Sequence, residues 1–366
     1  NKDRRGSSLI ALLISLAFLF VFCQVSYLPA AGQEREIGDL AADKEKDIGD
    51  LAADTEEKEK YEEKFEKTVS LPVTGEVSVG NISGDIEVTT WDKAEVKISA
   101  LKVSRAETME RAKENAALVE INVEKVGNRV VITTEYPKNM GWRGRSINVS
   151  VNYNLTIPNR ASLKASSISG DIGAGRIGGV ARLKTISGDV IAREIGGEAE
   201  LESVSGDIAV TEAAKSLYCS TVSGDVEVTS VGAGARMKSV SGDVTLSGCR
   251  GDAEAESVSG DIELRDITGA RKVRAKNVSG DIDYIGDIES GGRYTLNSHS
   301  GDITFSVPEN SSFELEVKTF SGEIDTAFPI RIIGKQKKGY ISGTIGQGGA
   351  WVELESFSGN IRIRSR

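Results

Sequence analysis

From Ala165 onward a Ser-Gly-Asp triplet, preceded by an apolar residue and followed by Ile or Val, recurs in nearly fixed phase, and nothing else in the chain constrains its fold as tightly. The corner triplets are Ser169-Gly170-Asp171, Ser187-Gly188-Asp189, Ser205-Gly206-Asp207, Ser223-Gly224-Asp225, Ser241-Gly242-Asp243 and Ser259-Gly260-Asp261, at a constant 18-residue spacing. Spacing then widens through Ser279, Ser300, Ser321 and Ser342, and the last copy is at Ser358. The triplet decays on the way, to Ser321-Gly322-Glu323, Ser342-Gly343-Thr344 and Ser358-Gly359-Asn360. A fixed short period marks a unit that cannot bury its apolar face alone and must stack on copies of itself. Eighteen residues suit two short strands and two corners. The predicted fold class is therefore all-β, a β-solenoid of about 18–21-residue coils. A string of hairpins, with Ser-Gly-Asp as each turn, is the competing architecture, but it gives no reason for identical phase across copies.

Aligning the copies yields columns. Four are apolar: Leu183, Leu201, Cys219, Met237, Ala255; the residue before the motif serine, Ile186, Val204, Val222, Val240, Val258; the residue after the aspartate, Val190, Ile208, Val226, Val244, Ile262; and Ala192, Val210, Val228, Leu246, Leu264. All four are expected to point inward as aliphatic ladders. The first two lie three residues apart, which breaks strand alternation and predicts a bend or bulge just before the motif. A column of small polar residues, Thr185, Ser203, Thr221, Ser239, Ser257, Asn277, fits either an exposed lattice or a narrow inner corner. The column Lys184, Glu202, Ser220, Lys238, Glu256, Lys276 sets opposite charges side by side on stacked rungs. At the corner itself, glycine permits positive φ, and the Ser and Asp side chains are expected to bond the backbone of their own turn.

Before the array the chain changes character three times. Lys2, Arg4 and Arg5 precede an apolar run from Leu9 to Cys23, and Ala30-Ala31-Gly32 supplies small residues for cleavage, so residues 1–32 read as a signal peptide. Retention as an uncleaved N-terminal anchor is the alternative and the only membrane contact foreseen. Residues 33–67 form a charged linker with an 11-residue duplication, IGDLAADKEKD from Ile37 and IGDLAADTEEK from Ile48. Residues 68–164 read as a β-rich cap, with one helix in the Gly- and Pro-free stretch from Arg105 to Glu120. The cap holds its own triplet, Ser83-Gly84-Asp85, and a loop from Lys138 to Ser146 that carries Trp142 between Arg143 and Arg145. Residues 165–366 are the repeat solenoid, whose end, with Arg362, Arg364 and Arg366 alternating, is expected to guard an open strand edge.

The recurring [IV]-S-G-D-[IV] core, together with NISGDIEVTTWDKAEVKISALKVS from Asn81 and the helix after it, resembles a bacterial β-strand-repeat family known by the name "putative adhesin", of unknown function. The resemblance spans about Thr68 to Arg366 and implies an exported or anchored β-solenoid of the cell envelope. It implies no catalytic residues and no cofactor. The charged duplication has no counterpart in the resemblance.

Chemistry in the residues is sparse. The single histidine, His299, replaces an aliphatic residue in the column before the motif serine, so a Ser-His-Asp site would rest on it alone. The row Asp171, Asp189, Asp207, Asp225, Asp243 and Asp261 is periodic, whereas a polysaccharide-cleaving site needs a local, irregular constellation. Calcium between stacked carboxylates is conceivable, but the glycine-rich nonapeptide of calcium-binding solenoids is missing. No catalytic, cofactor or metal residue is assigned, and the chain reads as a non-enzyme. With 45 basic and 55 acidic residues, net charge −10, and no basic stripe, it excludes nucleic acid as a partner. An adhesin-like interaction scaffold, exported to the periplasm, surface or exterior and engaging an envelope protein or glycan, is the leading function. A structural or stress-linked envelope component comes next. Cys219 and Cys249 fall at apolar positions and leave a disulfide open.

Overall fold

The structure is a computed structural model and describes residues 58–137, 147–332 and 338–366. The signal peptide, the duplication and the Lys138–Ser146 loop lie outside the described residues. All of the architecture below belongs to the unit Glu59–Arg366.

Two large sheets, of 14 and 15 strands, face each other across a single apolar core. A representative rung runs from strand Ala199–Glu202 in one sheet, through Ser205-Gly206-Asp207, to strand Ile208–Ala213 in the other. Successive rungs pair in parallel and in register, Leu201 on Cys219 and Ile208 on Val226, so every column of the alignment is a physical stack. The pairing is between coils and not within hairpins. Main-chain bonds continue through the corner, with Gly188 N–H donating to Ser205 O at 3.0 Å and Val190 N–H to Asp207 O at 2.9 Å.

Three of the four apolar columns are buried, but the fourth is not. Leu183, Val190 and Ala192 are fully enclosed. Ile186 and its equivalents before the motif serine point outward; Ile168 and Val278 are 40% and 44% exposed, and the five between them, Ile186 to Val258, are half-buried. Strand alternation in fact continues unbroken through Leu183 inward, Lys184 outward, Thr185 inward and Ile186 outward. The inward place that the sequence reading gave to Ile186 belongs to Thr185, and no bulge precedes the motif.

The irregularity sits in the other strand. Arg176, Glu194, Glu212, Ser230, Gly248 and Asp266, again 18 apart, all have φ between +52° and +76°. Each is skipped by the pairing register, as where Arg193 faces Thr211 and Ile195 faces Ala213, and each returns the next residue to the core. This is one bulge per rung, kept in register by repetition. Only Gly248 occupies this left-handed conformation without a Cβ penalty. Glu212→Gly should therefore stabilise the protein by about 0.5–1 kcal/mol, the relief of left-handed strain less the entropy of glycine. A thermal melt checks it, and a lower Tm than wild type counts against it.

At the N-terminal end the stack is capped. Strands Glu59–Ser70, Glu95–Ala106 and Asn148–Pro158 run antiparallel, and Asn148–Pro158 also pairs in parallel with Ile86–Trp91, joining cap to stack. Residues 59–67, assigned to the charged linker on sequence, are thus most of the first strand. One helix, Met109–Ala117, packs Ala112 and Ala116 against the sheet, and its N-cap Thr108 accepts the Arg111 N–H. Ser83 bridges to Ser169, so the early triplet is the first corner of the same stack.

At the C-terminal end, chain order and stacking order part. The rung of Ala350–Ser358 and Ile361–Ser365 inserts between that of Arg293–Ser300 and Ile303–Val307 and that of Phe313–Ser321 and Ile324–Thr326. The final strand is not an edge. Its arginines bind across rungs, Arg362 to Asp302 at 2.8 Å, Arg364 to Asp325 at 2.9 Å and Arg366 to Asp287 at 2.7 Å. Ser342-Gly343-Thr344 is no corner either; it lies within the antiparallel strand Tyr340–Ile345. The core here turns aromatic, with Tyr284, Tyr294, Phe305 and Phe313 fully buried.

Candidate interaction edge

Stacked Ser-Gly-Asp corners make one continuous edge, and three observations define its chemistry. The first is the inner polar column. Thr185 Oγ1 donates to Gly170 O at 3.2 Å, Thr221 Oγ1 to Gly206 O at 3.1 Å, Ser239 Oγ to Gly224 O at 3.0 Å, and Asn277 Nδ2 to Gly260 O at 2.6 Å. These small residues point inward and satisfy the corner carbonyl of the rung before, which otherwise has no strand partner. They present no external lattice.

The second is the aspartate row. Asp171 Oδ1 accepts the Asp189 N–H at 2.9 Å, Asp189 Oδ1 the Asp207 N–H at 2.8 Å, and the bond repeats to Asp261. Each carboxylate therefore bonds the next rung's corner and not its own, so the row staples neighbouring coils. One oxygen of each is committed, and the side chains remain exposed. Among the described residues no group of three His, Cys, Asp or Glu side chains gathers to hold a metal ion.

The third is the outward apolar column. In stacking order it runs Ile82, Ile168, Ile186, Val204, Val222, Val240, Val258, Val278, His299, Phe357, Phe320. At one rung per roughly 4.8 Å it extends on the order of 50 Å. His299 sits in this column with its ring stacked on Phe357, 5.0 Å away. The motif serines, half-buried at Ser83 and exposed from Ser169 onward, flank the column.

Elsewhere the surface is ordinary. Lys184 bridges Glu202 at 3.0 Å and Lys238 bridges Glu256 at 2.7 Å, as the charge column predicted, and Lys184 also bridges Glu200 at 2.7 Å. Burial opposes the charge on Glu256, but the Lys238 ammonium outweighs it and holds the carboxyl below its usual range. Such half-exposed pairs add little stability. Cys219 and Cys249 are buried and unbonded, on opposite sheets. Burial raises both thiols, Cys249 to about 11, so neither is a reactive thiolate at neutral pH.

The sequence model of Toastrack DUF4097 matches residues 76–364, from the first rung to the last strand. The chain belongs to the Toastrack DUF4097 family. The match covers the corners, the inserted C-terminal rung and all of the cap except its first strand, Glu59–Ser70. Among solved structures, this Toastrack chain is similar to a putative adhesin from Bacteroides fragilis NCTC 9343, at 13% identity over 82% of this chain and 97% of that one, with a TM-score of 0.31. A putative lipid binding protein from Parabacteroides distasonis ATCC 8503 is 15% identical over 82% and 96% of the two chains, with a TM-score of 0.31. A putative cell adhesion protein from Clostridium sporogenes ATCC 15579 is 10% identical over 83% of this chain and all of that one, with a TM-score of 0.20. A search of the curated proteins finds no match.

Proposed function

We propose that this Toastrack protein is an exported, non-enzymatic scaffold of the cell envelope that binds partners along its Ser-Gly-Asp edge, in the manner of an adhesin. The observation that carries this reading is the outward Ile/Val/aromatic column. Folding requires a corner glycine and a buried hydroxyl beneath it, but makes no demand for an apolar side chain on the solvent side. A long apolar ridge between polar rows is what a binding face looks like on an otherwise charged protein. The solenoid holds the ridge rigid, so little ordering entropy opposes binding.

The test uses the full chain and envelope fractions from the producing cells. Replacing Val204, Val222 and Val240 together with Ser should weaken envelope binding by about tenfold or more while leaving the fold intact. Replacing any one of Asp171 to Asp261 with Asn should leave binding within about twofold, because the corners are near-equivalent and an amide oxygen still accepts the stapling N–H. Unchanged binding by the triple variant, or recovery of the intact N-terminus in a soluble cytosolic fraction, would sink the proposal.

A further inference from the structure

The outward column changes chemistry over its last three rungs. It is aliphatic from Ile82 to Val278 and then becomes His299, Phe357 and Phe320. Their rings stack like a pile of plates, His299 on Phe357 within 10° and Phe357 on Phe320 at 4.9 Å within 3°. Phe357 is 49% and Phe320 80% exposed. The core of these same rungs is already filled by Phe305 and Phe313, so packing does not explain the outer rings. Phe320 also closes the column. The strand that follows its corner, Ile324–Thr326, is the last of its sheet; beside Phe320's own strand lies antiparallel Tyr340–Ile345, where the Gly339 carbonyl accepts the Thr319 N–H and exposed Lys338 adjoins the end of the column, and among the described residues no further corner continues it.

The flanks narrow the choice of occupant. On one side stand the exposed hydroxyls of Ser300, Ser358 and Ser321. Beyond the corner glycines come Asp302, Asn360 and Glu323. Asp302 is held by Asn360 and Arg362, and Asn360 Oδ1 accepts the Glu323 N–H at 3.0 Å, which leaves the exposed Glu323 carboxylate three residues along from the open ring. An anionic ligand, whether phosphate headgroup or acidic polymer, would meet the carboxylates of Asp281 and Glu323, Asp302 between them being paired with Arg362. A second copy docked face to face would oppose the same acidic rows. An acyl chain needs a groove, and this is a ridge. What fits is a neutral, flat molecule with an apolar face and hydroxyls around its rim.

We propose that the His299–Phe357–Phe320 column binds a neutral glycan, stacking the C–H face of a pyranose ring on the open face of Phe320, with Ser321 and Glu323 engaging the sugar hydroxyls. This rests on the corner edge being a binding edge and names its ligand class. Titration calorimetry of the full chain with cellohexaose, chitohexaose and mannohexaose, and with a hexamer of galacturonic acid as the anionic control, tests it. At least one neutral hexaose should bind, and the anionic hexamer more weakly. Phe320→Ala should weaken binding by about tenfold or more, Phe320→Trp should retain it, and Glu114→Ala, at an exposed position of the cap helix, should leave it unchanged. Because Phe320 is exposed, its alanine variant should melt like wild type. Failure of every neutral hexaose to bind, or equal binding by Phe320→Ala, overturns the assignment. So does sedimentation that shows a dimer dissociated by Phe320→Ala, which would give the column to a second copy. If envelope binding remains sensitive to the triple valine variant while the hexaoses fail, the sugar assignment falls and the binding edge stands.

Discussion

Gly224→Val should break the array at its centre. Gly224 has φ +147°, a conformation that β-branched residues avoid. Its N–H donates to Ser241 O and its carbonyl accepts the Ser239 hydroxyl, both at 3.0 Å, so it is fastened to the rung that follows. Any Cβ would also collide with the Gly206 carbonyl oxygen of the rung before. Backbone strain and steric overlap each carry about 1–3 kcal/mol, for a combined cost of about 2–6 kcal/mol. Because each coil touches only its neighbours, the two halves should uncouple. The calorimetric transition is expected to move down and broaden or split, whereas Glu227→Val, exposed three residues on, should melt like wild type. One sharp transition at the wild-type temperature for Gly224→Val would refute this account of the corner.

Phe305→Ala should instead loosen one end. Phe305 is fully buried, stacked on Tyr284 at 4.9 Å and edge-on to Phe313 at 6.2 Å, so it joins three rungs of the aromatic core. Truncating a buried phenyl costs about 3–5 kcal/mol through lost transfer energy and the cavity left behind. The same change at exposed Phe320 should cost under about 0.5 kcal/mol. Hydrogen exchange should show the asymmetry. Amides from about 282 to 326, and those of the inserted rung from 350 to 365, should lose protection, while the aliphatic rungs from 190 to 268 keep theirs. Uniform loss along the stack would mean that the solenoid unfolds as one unit, contrary to a nearest-neighbour array.

Much of this was legible in the residues. The 18-residue phase established parallel stacking, three inward ladders, the glycine corner and the charge pairs on the outer face, because each depends on local periodicity that repeats identically. The helix was visible from a stretch without glycine or proline, though its described extent, Met109–Ala117, is shorter than Arg105–Glu120. The candidate edge was misjudged at one column. Hydrophobicity suggested that Ile186 lies inside and left Thr185 undecided, while burial follows strand parity and hydrogen bonding: Thr185 is enclosed because its hydroxyl meets the Gly170 carbonyl. The left-handed column was hidden because Arg176, Glu194, Glu212 and Ser230 are not residues that advertise positive φ. A bulge repeated in every rung is supported by its neighbours and needs no glycine signal.

What the sequence by itself determined is the coil: its length, its corner, and which residues recur on each phase. What only the tertiary structure decided is which coil lies on which. The aspartate's partner is the next rung's N–H, not its own turn, a choice set by the spacing between coils. The C-terminal rung stacks out of chain order, so Phe357 comes to lie between His299 and Phe320, which belong to consecutive repeats in the sequence. Local periodicity describes one unit's preferences. The order of stacking is a contest between long-range pairings, which Arg362 on Asp302 and Phe357 on His299 help to settle through contacts that exist only once the rungs have met.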